Sequence, residues 1–418
     1  MSATERLYHD DPFLLRFSAR VIAHGSWEGR ASVLLDRTAF YPEAGGQMAD
    51  RGLLAAVGVL PAAEQGGEGA EDVARVVDVQ VDDAGQVHHL LDGALPAVGL
   101  VIEGEIAKER RRVHMALHTG QHMLSRALAD LARAATVSSR LGESMCTIDV
   151  DQEAVAEGRI AAAEDLVNAV IDDDVPVRAF FPTDVELAAL PLRRAPTVSE
   201  NIRVVAIGDF DVSPCGGTHC TRSSQVGLVH VTGVERYKGK LRVMFTAGAR
   251  ARRELGGQAT TLRALGRELS CEPLLVPQGV AKLREEIGGS RDALGKMRGR
   301  LAEAIAASLS ARAGSSAGGG APEPIVALVE EASTELLRSI GARLIAEPGA
   351  LVVLGGRSAD GISVLVARGA ASAFDCGAFL KRLAAAAGGR GGGRKEHAEG
   401  KVPTGVDFEA TVRSLLTS

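Results

Sequence analysis

The chain has 418 residues, more than a single domain usually holds, so two to four domains with ample core are expected. Hydrophobic residues make up 46%, charged residues 24% and aromatics only 3%, which excludes a disordered chain and requires cores of Ala, Val, Leu and Ile. The net charge of −6 excludes a protein coated in basic charge, although a local basic strip is enough to contact phosphates.

The N-terminus, MSATERLYHDDPFLLRF, lacks the charged-then-apolar layout of a signal peptide, and no run approaches the length of a membrane span. Cys146, Cys215, Cys220, Cys271 and Cys376 are odd in number and form no CxxC pair, the pattern of a reducing cytosol with at most one metal-bound thiolate. A soluble, cytoplasmic protein is expected.

Residues 1 to about 104 read as short strands joined by turns. Phe13–Ala23, Ala31–Leu35, Val76–Val81 and His88–Leu91 are strand-like, with Gly and Asp clustered between them. Pro61–Asp72, PAAEQGGEGAED, has the composition of a mobile hairpin loop. One stretch departs from plain strand and turn: Asp36–Gly52, DRTAFYPEAGGQMADRG. Its Gly45 and Gly46 permit conformations and close approaches closed to other residues, and they set Gln47 on a tight turn. An ordinary β-turn accounts for the same letters.

From about Ile106 to Arg133 the period becomes helical, opened by the basic run KERRR at Lys108–Arg112. Arg111–Ser125, RRVHMALHTGQHMLS, puts His114, His118 and His122 at successive i, i+4 steps on one helix face. A strand at Met145–Val150, an Ala-rich helix from Glu153 to about Asp173 and strands at Val177–Phe181 and Ile202–Ile207 follow, the last leading to Pro214–Cys220, PCGGTHC. Gly227–Gly233 and Leu241–Thr246 look like a closing strand pair. Past Arg250, Val280, Leu283, Ile287, Leu294, Met297 and Leu301 recur at alternating spacings of 3 and 4 with Ser290 in the one polar slot. This heptad seam predicts a long helix packed against a partner helix.

Ala313–Pro324, AGSSAGGGAPEP, reads as a flexible linker. The remainder alternates helix (Ile325–Ile340), strand (Ala350–Leu354), strand (Ile362–Ala367) and helix (Cys376–Ala387), then ends in a glycine loop, GGRGGGR, at Gly388–Arg394. The expected fold class is α+β in five parts: a β-barrel-like domain over 1–104, an α+β metal-containing domain over 105–252, a helical, coiled-coil-like connector over 253–312, a linker over 313–324 and an α/β domain over 325–418.

The chemistry is carried by two separated motifs. His118 and His122 supply imidazoles one turn apart, and Cys215 and His219, also four residues apart, supply a thiolate and an imidazole, the donors zinc prefers. One Zn2+ per chain is expected. His114 stays open between replacing His122 in the ligand pair and sitting a turn away as an ordinary or substrate-facing histidine. Cys220 reads as a packed thiol. HTGQH lacks the glutamate of HExxH, which argues against a metalloprotease, and GGRGGGR lacks the Lys-Ser/Thr of a P-loop.

HTGQHMLS (His118–Ser125), CGGTH (Cys215–His219) and DRTAFYPEAGGQMADRG resemble the three signatures of the stand-alone alanyl-tRNA editing proteins, the AlaX family. That family is related to the editing domain of alanyl-tRNA synthetase and more distantly to that of threonyl-tRNA synthetase. LVVLGG (Leu351–Gly356), SVLVA (Ser363–Ala367) and GGRGGGR resemble the DHHA1 domain that follows editing domains in the synthetase and in the long form of the family, so the resemblance covers nearly the whole chain. It implies ATP-independent hydrolysis, in trans, of the ester in mischarged Ser-tRNA(Ala), with Gly-tRNA(Ala) as a second candidate and Ala-tRNA(Ala) spared. With no aminoacylation domain ahead of the editing part, charging of tRNA is not expected. By resemblance the zinc ligands are His118, His122, Cys215 and His219, and Gly45, Gly46 and Gln47 line the pocket. Ala44 and Met48 stand where the family often has Gly and Pro, which bears on the turn that carries Gln47.

An aminoacyl ester is activated, so positioning, an oriented water and a stabilised oxyanion suffice to cleave it. A zinc with an exchangeable position orients the substrate or acidifies a water, whereas four protein ligands bound at once remove the vacant site. A polar site built for the serine hydroxyl rejects the analogue without it. Gln47, Thr119 and Gln121 are the candidate catalytic residues, and His114 a candidate substrate contact. For RNA, Arg111 and Arg112 in the basic run and Arg390, Arg394 and Lys395 beside bare glycine backbone can approach phosphates. A solvated helix face and a plain glycine loop explain the same letters. The heptad helix and the terminal domain imply a homodimer. Two rivals stand beside editing of serine: a zinc-stabilised tRNA-binding module without hydrolytic activity, and an esterase for another mischarged aminoacyl-tRNA.

Overall fold

A computed structural model describes residues 3–60, 73–196, 198–314 and 323–418. The expected hairpin loop Pro61–Asp72 and most of the expected linker lie outside the described residues. The chain divides into two compact units, Met1–Leu262 and Arg263–Ser418.

The first unit opens with β1 (Glu5–Arg6), β2 (Arg16–Trp27), β3 (Arg30–Leu35), β4 (Arg37–Thr38), β5 (Gly52–Ala56), β6 (Val73–Val81), β7 (Val87–Asp92) and β8 (Val101–Ile106). Six of these close into an antiparallel barrel in the order β2-β3-β7-β6-β5-β8, and β1 pairs with β4 in parallel. Inward-facing Val21, Val33, Leu35, Leu54, Val76 and Ile102 fill it, as alternation along barrel strands requires. Strands β5 and β8 escape sequence reading because each carries a glycine where a side chain would collide. A Cβ at Gly52 would lie 2.0 Å from the Glu105 carbonyl oxygen, and one at Gly104 would lie 2.4 Å from the Phe17 ring.

The unit continues through α1 (Lys108–Ala132), β9 (Thr136–Leu141), β10 (Cys146–Val150), α2 (Glu157–Asp172), β11 (Val177–Phe180), α3 (Asp184–Ala189), β12 (Val204–Ile207), β13 (Asp211–Pro214), β14 (Val229–Tyr237) and β15 (Lys240–Ala247). One sheet runs β14-β15-β10-β9 and a second β11-β12-β13. Leu117, Leu124, Leu128, Val167, Ile148, Val243 and Phe245 join α1 and α2 to the larger sheet in one core. Every residue of α1 from His114 to Ser125 is buried, so this is a core helix and not an amphipathic surface one. Gly120 permits that burial: a Cβ there would stand 2.9 Å from a Val229 methyl carbon, outweighing the ~1 kcal/mol by which glycine disfavours a helix interior. A further helix, α4 (Gly248–Glu268), carries the chain out of this unit.

The second unit holds α5 (Val276–Gly314), β16 (Ile325–Glu330), α6 (Thr334–Leu344), β17 (Leu351–Ser358), β18 (Gly361–Arg368), α7 (Cys376–Ala387), β19 (Arg390–Gly393), β20 (His397–Val402) and α8 (Phe408–Thr417). Its five-stranded mixed sheet runs β16-β17-β18-β20-β19. Ala302 and Ala306 near the end of α5 pack with Leu337 and Ile340 of α6, while Leu294, Met297 and Leu301 of the heptad seam are at least half exposed. Two expectations are corrected. Ile325–Glu330 is a strand parallel to β17, with the helix starting only after the Ser333 cap; a short buried apolar run does not reveal its period. The glycine run is not a loop: Arg390–Gly393 pairs antiparallel with β20, and a Cβ at Gly393 would lie 2.4 Å from the Ala398 Cα. Among the described residues no helix is long and apolar enough to cross a membrane.

Candidate metal centre

Helix α1 supplies His118 and His122 from its core-facing turns, and β13 ends at Pro214 so that Cys215–His219 folds directly over them. The donor atoms of His118, His122, Cys215 and His219 all lie within 4.8 Å of one another, a group able to hold a metal ion. Cys215 Sγ is 3.4 Å from His118 Nε2 and 3.3 Å from His219 Nε2. The loop comes this close because of one glycine. A Cβ at Gly217 would sit 2.1 Å from His118 Cε1, whereas one at Gly216 would meet nothing within 4 Å. Buried Arg203 fastens the loop, donating from one guanidinium nitrogen to the carbonyls of Cys215 (3.1 Å) and Gly217 (2.8 Å).

Each imidazole is held from behind. The backbone N–H of Thr218 donates to Gln47 Oε1 (3.2 Å), and Gln47 Nε2 donates to Thr218 Oγ1 (2.8 Å), which fixes the amide orientation. Oε1 can only accept, so His118 Nδ1 carries the proton and donates to it at 2.7 Å. The Nε2 lone pair of His118 is thereby free on the cluster side. His122 Nδ1 pairs with the Asp211 carboxylate (3.3 Å) and His219 Nδ1 with Thr119 Oγ1 (3.2 Å). Three imidazoles thus present Nε2 with Nδ1 occupied, the outer-shell arrangement that orients metal-ligating histidines.

The electrostatics of the group is coupled: against the effect of burial, Cys215 and then Asp211 raise the His122 pKa. Burial alone would raise the Cys215 thiol, but the positive charge of the histidines coupled to it, His118 first, holds it well below its ordinary 9. Burial, followed by the neighbouring His118, pushes His219 down to about 3, so it is a neutral imidazole. Asp211 is kept ionised against burial by His122 and by Arg193, whose Nε donates at 2.7 Å. Cys220, by contrast, is pushed up to about 12 by burial and is a packed thiol.

Beside the cluster lies a cavity of about 420 Å3 whose wall includes His118, Cys215, Gly216, Gly217, Tyr41 and Gly45. A second, of about 570 Å3, reaches His219 and Cys220. A larger cavity of about 850 Å3, walled by Arg140, Asp149, Lys238 and Arg242, includes none of the four cluster residues.

The remaining residues singled out in the sequence are distributed as follows. Gln47 and Thr119 are fully buried behind His118 and His219, where they bond to the two rings. Gln121 is not at the cluster face: its amide donates to Ser125 Oγ one turn on (2.7 Å). Gly45 and Gly46 both adopt positive φ, and Gly46 packs where a Cβ would lie 2.5 Å from the Ser139 carbonyl oxygen. His114 lies outside the four-residue group and lines a separate cavity of about 230 Å3 with Arg110, Glu143 and Arg250. Burial lowers its pKa to about 4. Arg111 is not available to RNA. It is fully buried, paired with Asp50 at 2.6 Å and donating to the carbonyls of Ala39 and Pro12. Arg112, Arg390, Arg394 and Lys395 are exposed. Asp211 and Arg203 were not singled out, because no spacing ties them to a motif; they reach the site only through the pairing of β12 with β13.

Residues 202–244 match the family model described as the threonyl and alanyl tRNA synthetase second additional domain. The chain is 35% identical over 252 residues to the alanyl-tRNA editing protein AlaX-L of Pyrococcus horikoshii, covering 59% of each protein. It is 32% identical over 416 residues to the alanine–tRNA ligase of Archaeoglobus fulgidus, covering 97% of this chain and 43% of the ligase. It therefore spans about half the length of these curated relatives. Among solved structures, the C-Ala domain of Aquifex aeolicus alanyl-tRNA synthetase covers 23% of this chain and 91% of that one at 20% identity, with a TM-score of 0.22 that is too low to establish a shared fold.

Proposed function

We propose, from the premise that this chain belongs with the AlaX-type alanyl-tRNA editing proteins, that it hydrolyses the ester of mischarged Ser-tRNA(Ala) in trans and spares Ala-tRNA(Ala). Gly-tRNA(Ala) is the second ester to test. The observation that carries the reading is the meeting of three Nε2-presenting imidazoles and one thiolate at the wall of a cavity. Three nitrogens and a sulfur are donors that suit Zn2+, one per chain.

When bound, zinc would supply positive charge to polarise an ester oxygen or to acidify a water. The chain's own groups perform the rest. Gln47, Asp211 and Thr119 hold the rings so that no rotation is needed when a metal or substrate arrives. Arg203 keeps the Cys215–His219 loop on the cavity wall, and the Gly45–Gly46 turn holds Gln47 against that loop. Exposed Arg112, Arg390, Arg394 and Lys395 are proposed phosphate contacts. We place the reaction in the cytoplasm and the chain in a homodimer formed through the exposed seam of α5. The divisions near residues 104, 252, 312 and 324 remain the proposed domain boundaries.

One observation favours a second reading. All four donors converge, and a closed four-ligand site is the mark of a structural zinc, as in a tRNA-binding module without hydrolytic activity. The test is deacylation of Ser-, Gly- and Ala-tRNA(Ala) by the purified protein and by Cys215→Ala, each with metal analysis. Loss of serine with alanine spared, abolished in the variant along with bound zinc, supports editing. No cleavage by fully zinc-loaded protein refutes it and leaves the binding module.

A further inference from the structure

We propose that Phe180 and Phe181 form a stacking platform for the unpaired bases at the 3′ end of the RNA that carries the ester, an inference that rests on the hydrolytic reading above. Aromatic residues are only 3% of this chain, and the aromatic members of its exposed large hydrophobics, among the described residues, are these two, 37% and 53% exposed. They are consecutive, at the end of the edge strand β11.

Neighbours on an extended chain face opposite ways, and the two rings enter different walls. Phe181 lines the cavity that holds His118 and Cys215; Phe180 lines the one that reaches His219. Phe181 also meets the ring of His9, with 5.7 Å between centroids and 60° between planes. Arg194 lines the first cavity and Arg178 the second.

Flat apolar rings beside guanidinium groups are the combination that holds single-stranded nucleic acid: bases stack on the rings while the cations meet phosphates. The position fits the task. An ester on a terminal ribose reaches the cluster only if the bases beside it are held at the cavity mouths. A protein partner is disfavoured because two side chains fall short of the several hundred Å2 of contiguous apolar surface that marks such an interface.

The test uses the full chain, fluorescence anisotropy and a 5′-labelled, uncharged single-stranded RNA ending in ACCA. Circular dichroism confirms folding of each variant. The double variant Phe180→Leu/Phe181→Leu keeps apolar bulk but removes the π faces, and should weaken binding about tenfold or more, whereas Phe180→Tyr/Phe181→Tyr should stay within about twofold of the parent. The leucine variant should raise KM for the aminoacyl-tRNA by a similar factor. Parent-like RNA binding by the leucine variant, or equal loss in the tyrosine variant, overturns the platform. RNA binding with the expected pattern but no ester cleavage would retain the platform and refute the hydrolysis; unchanged KM in an active leucine variant would do the reverse.

Discussion

The Arg111–Asp50 pair joins helix α1 to the barrel, and its removal should be felt throughout the first unit. Both side chains are at most 1% exposed, and the guanidinium donates to Asp50 at 2.6 Å, to the Ala39 carbonyl at 2.5 Å and to the Pro12 carbonyl at 2.7 Å. Arg111→Met keeps much of the bulk and removes every donor. Asp50 then retains, of these bonds, only the Tyr41 backbone N–H at 2.7 Å. A buried charge stripped of its partner costs about 3–5 kcal/mol. Adding Asp50→Asn removes the stranded charge and should restore roughly half of the loss, about 2 kcal/mol. The assay is urea unfolding followed by Trp27, the sole tryptophan, which sits in β2 and so reports on the barrel. Arg112→Ala, one residue on and exposed, is the control and should stay within about 0.5 kcal/mol. A loss below about 1 kcal/mol for Arg111→Met, or a double variant no better than the single, would refute the reasoning.

Gly217→Ala should abolish metal binding because its methyl falls on the His118 ring, while Gly216→Ala should load metal like the parent, read by metal analysis of the purified variants. Gln47→Ala should weaken metal affinity by about 10–100-fold, measured by chelator competition, since it frees the His118 ring to turn. His89 is wholly buried, bonded to Thr38 and the Val33 carbonyl, and burial lowers its pKa from 6.5 to about 4. The unfolded chain therefore binds the extra proton first: its contribution is complete above pH 6.5 and is lost as pH falls toward 4, by about 3 kcal/mol. His89→Gln should flatten the unfolding midpoint over that interval, and an unchanged pH slope would count against it. Leu294→Glu with Met297→Glu, on the exposed seam, should convert a dimer to monomer in sedimentation velocity, and no change would remove α5 as the interface.

What could be read in advance was chemistry that depends on residue type and short spacing. His118 with His122 and Cys215 with His219 carry their donor sets in four-residue steps, and strands such as Ala31–Leu35 and His88–Leu91 stand out by composition. What escaped depended on which atoms approach which. KERRR is a run of like charge in the sequence, yet Arg111 is buried and Arg112 is not, because α1 is surrounded by core for most of its length. A basic run on a helix is usually solvated, and nothing in the letters shows that the barrel offers Asp50 to one of its members.

Glycine was the other source of error, and for one reason. GGRGGGR has almost no side chains whose alternation could announce a strand, so composition suggested a loop; Gly391 and Gly393 lie too close to β20 and α7 for a Cβ, whereas one at Gly392 would meet nothing within 4 Å. The same cause explains Gly120 within HTGQH, Gly46 within the Gly-rich turn and Gly217 within CGGTH. Each marks a close approach: α1 on the sheet, the turn on β9, and the thiolate loop on His118. Together with Gln47, which bonds both His118 and Thr218, they make the three motifs one assembly joined by mutual contact. Ala44 and Met48 leave that assembly intact. The Gln47 backbone N–H still reaches the Ala44 carbonyl at 3.0 Å, so the turn closes and the amide arrives behind His118.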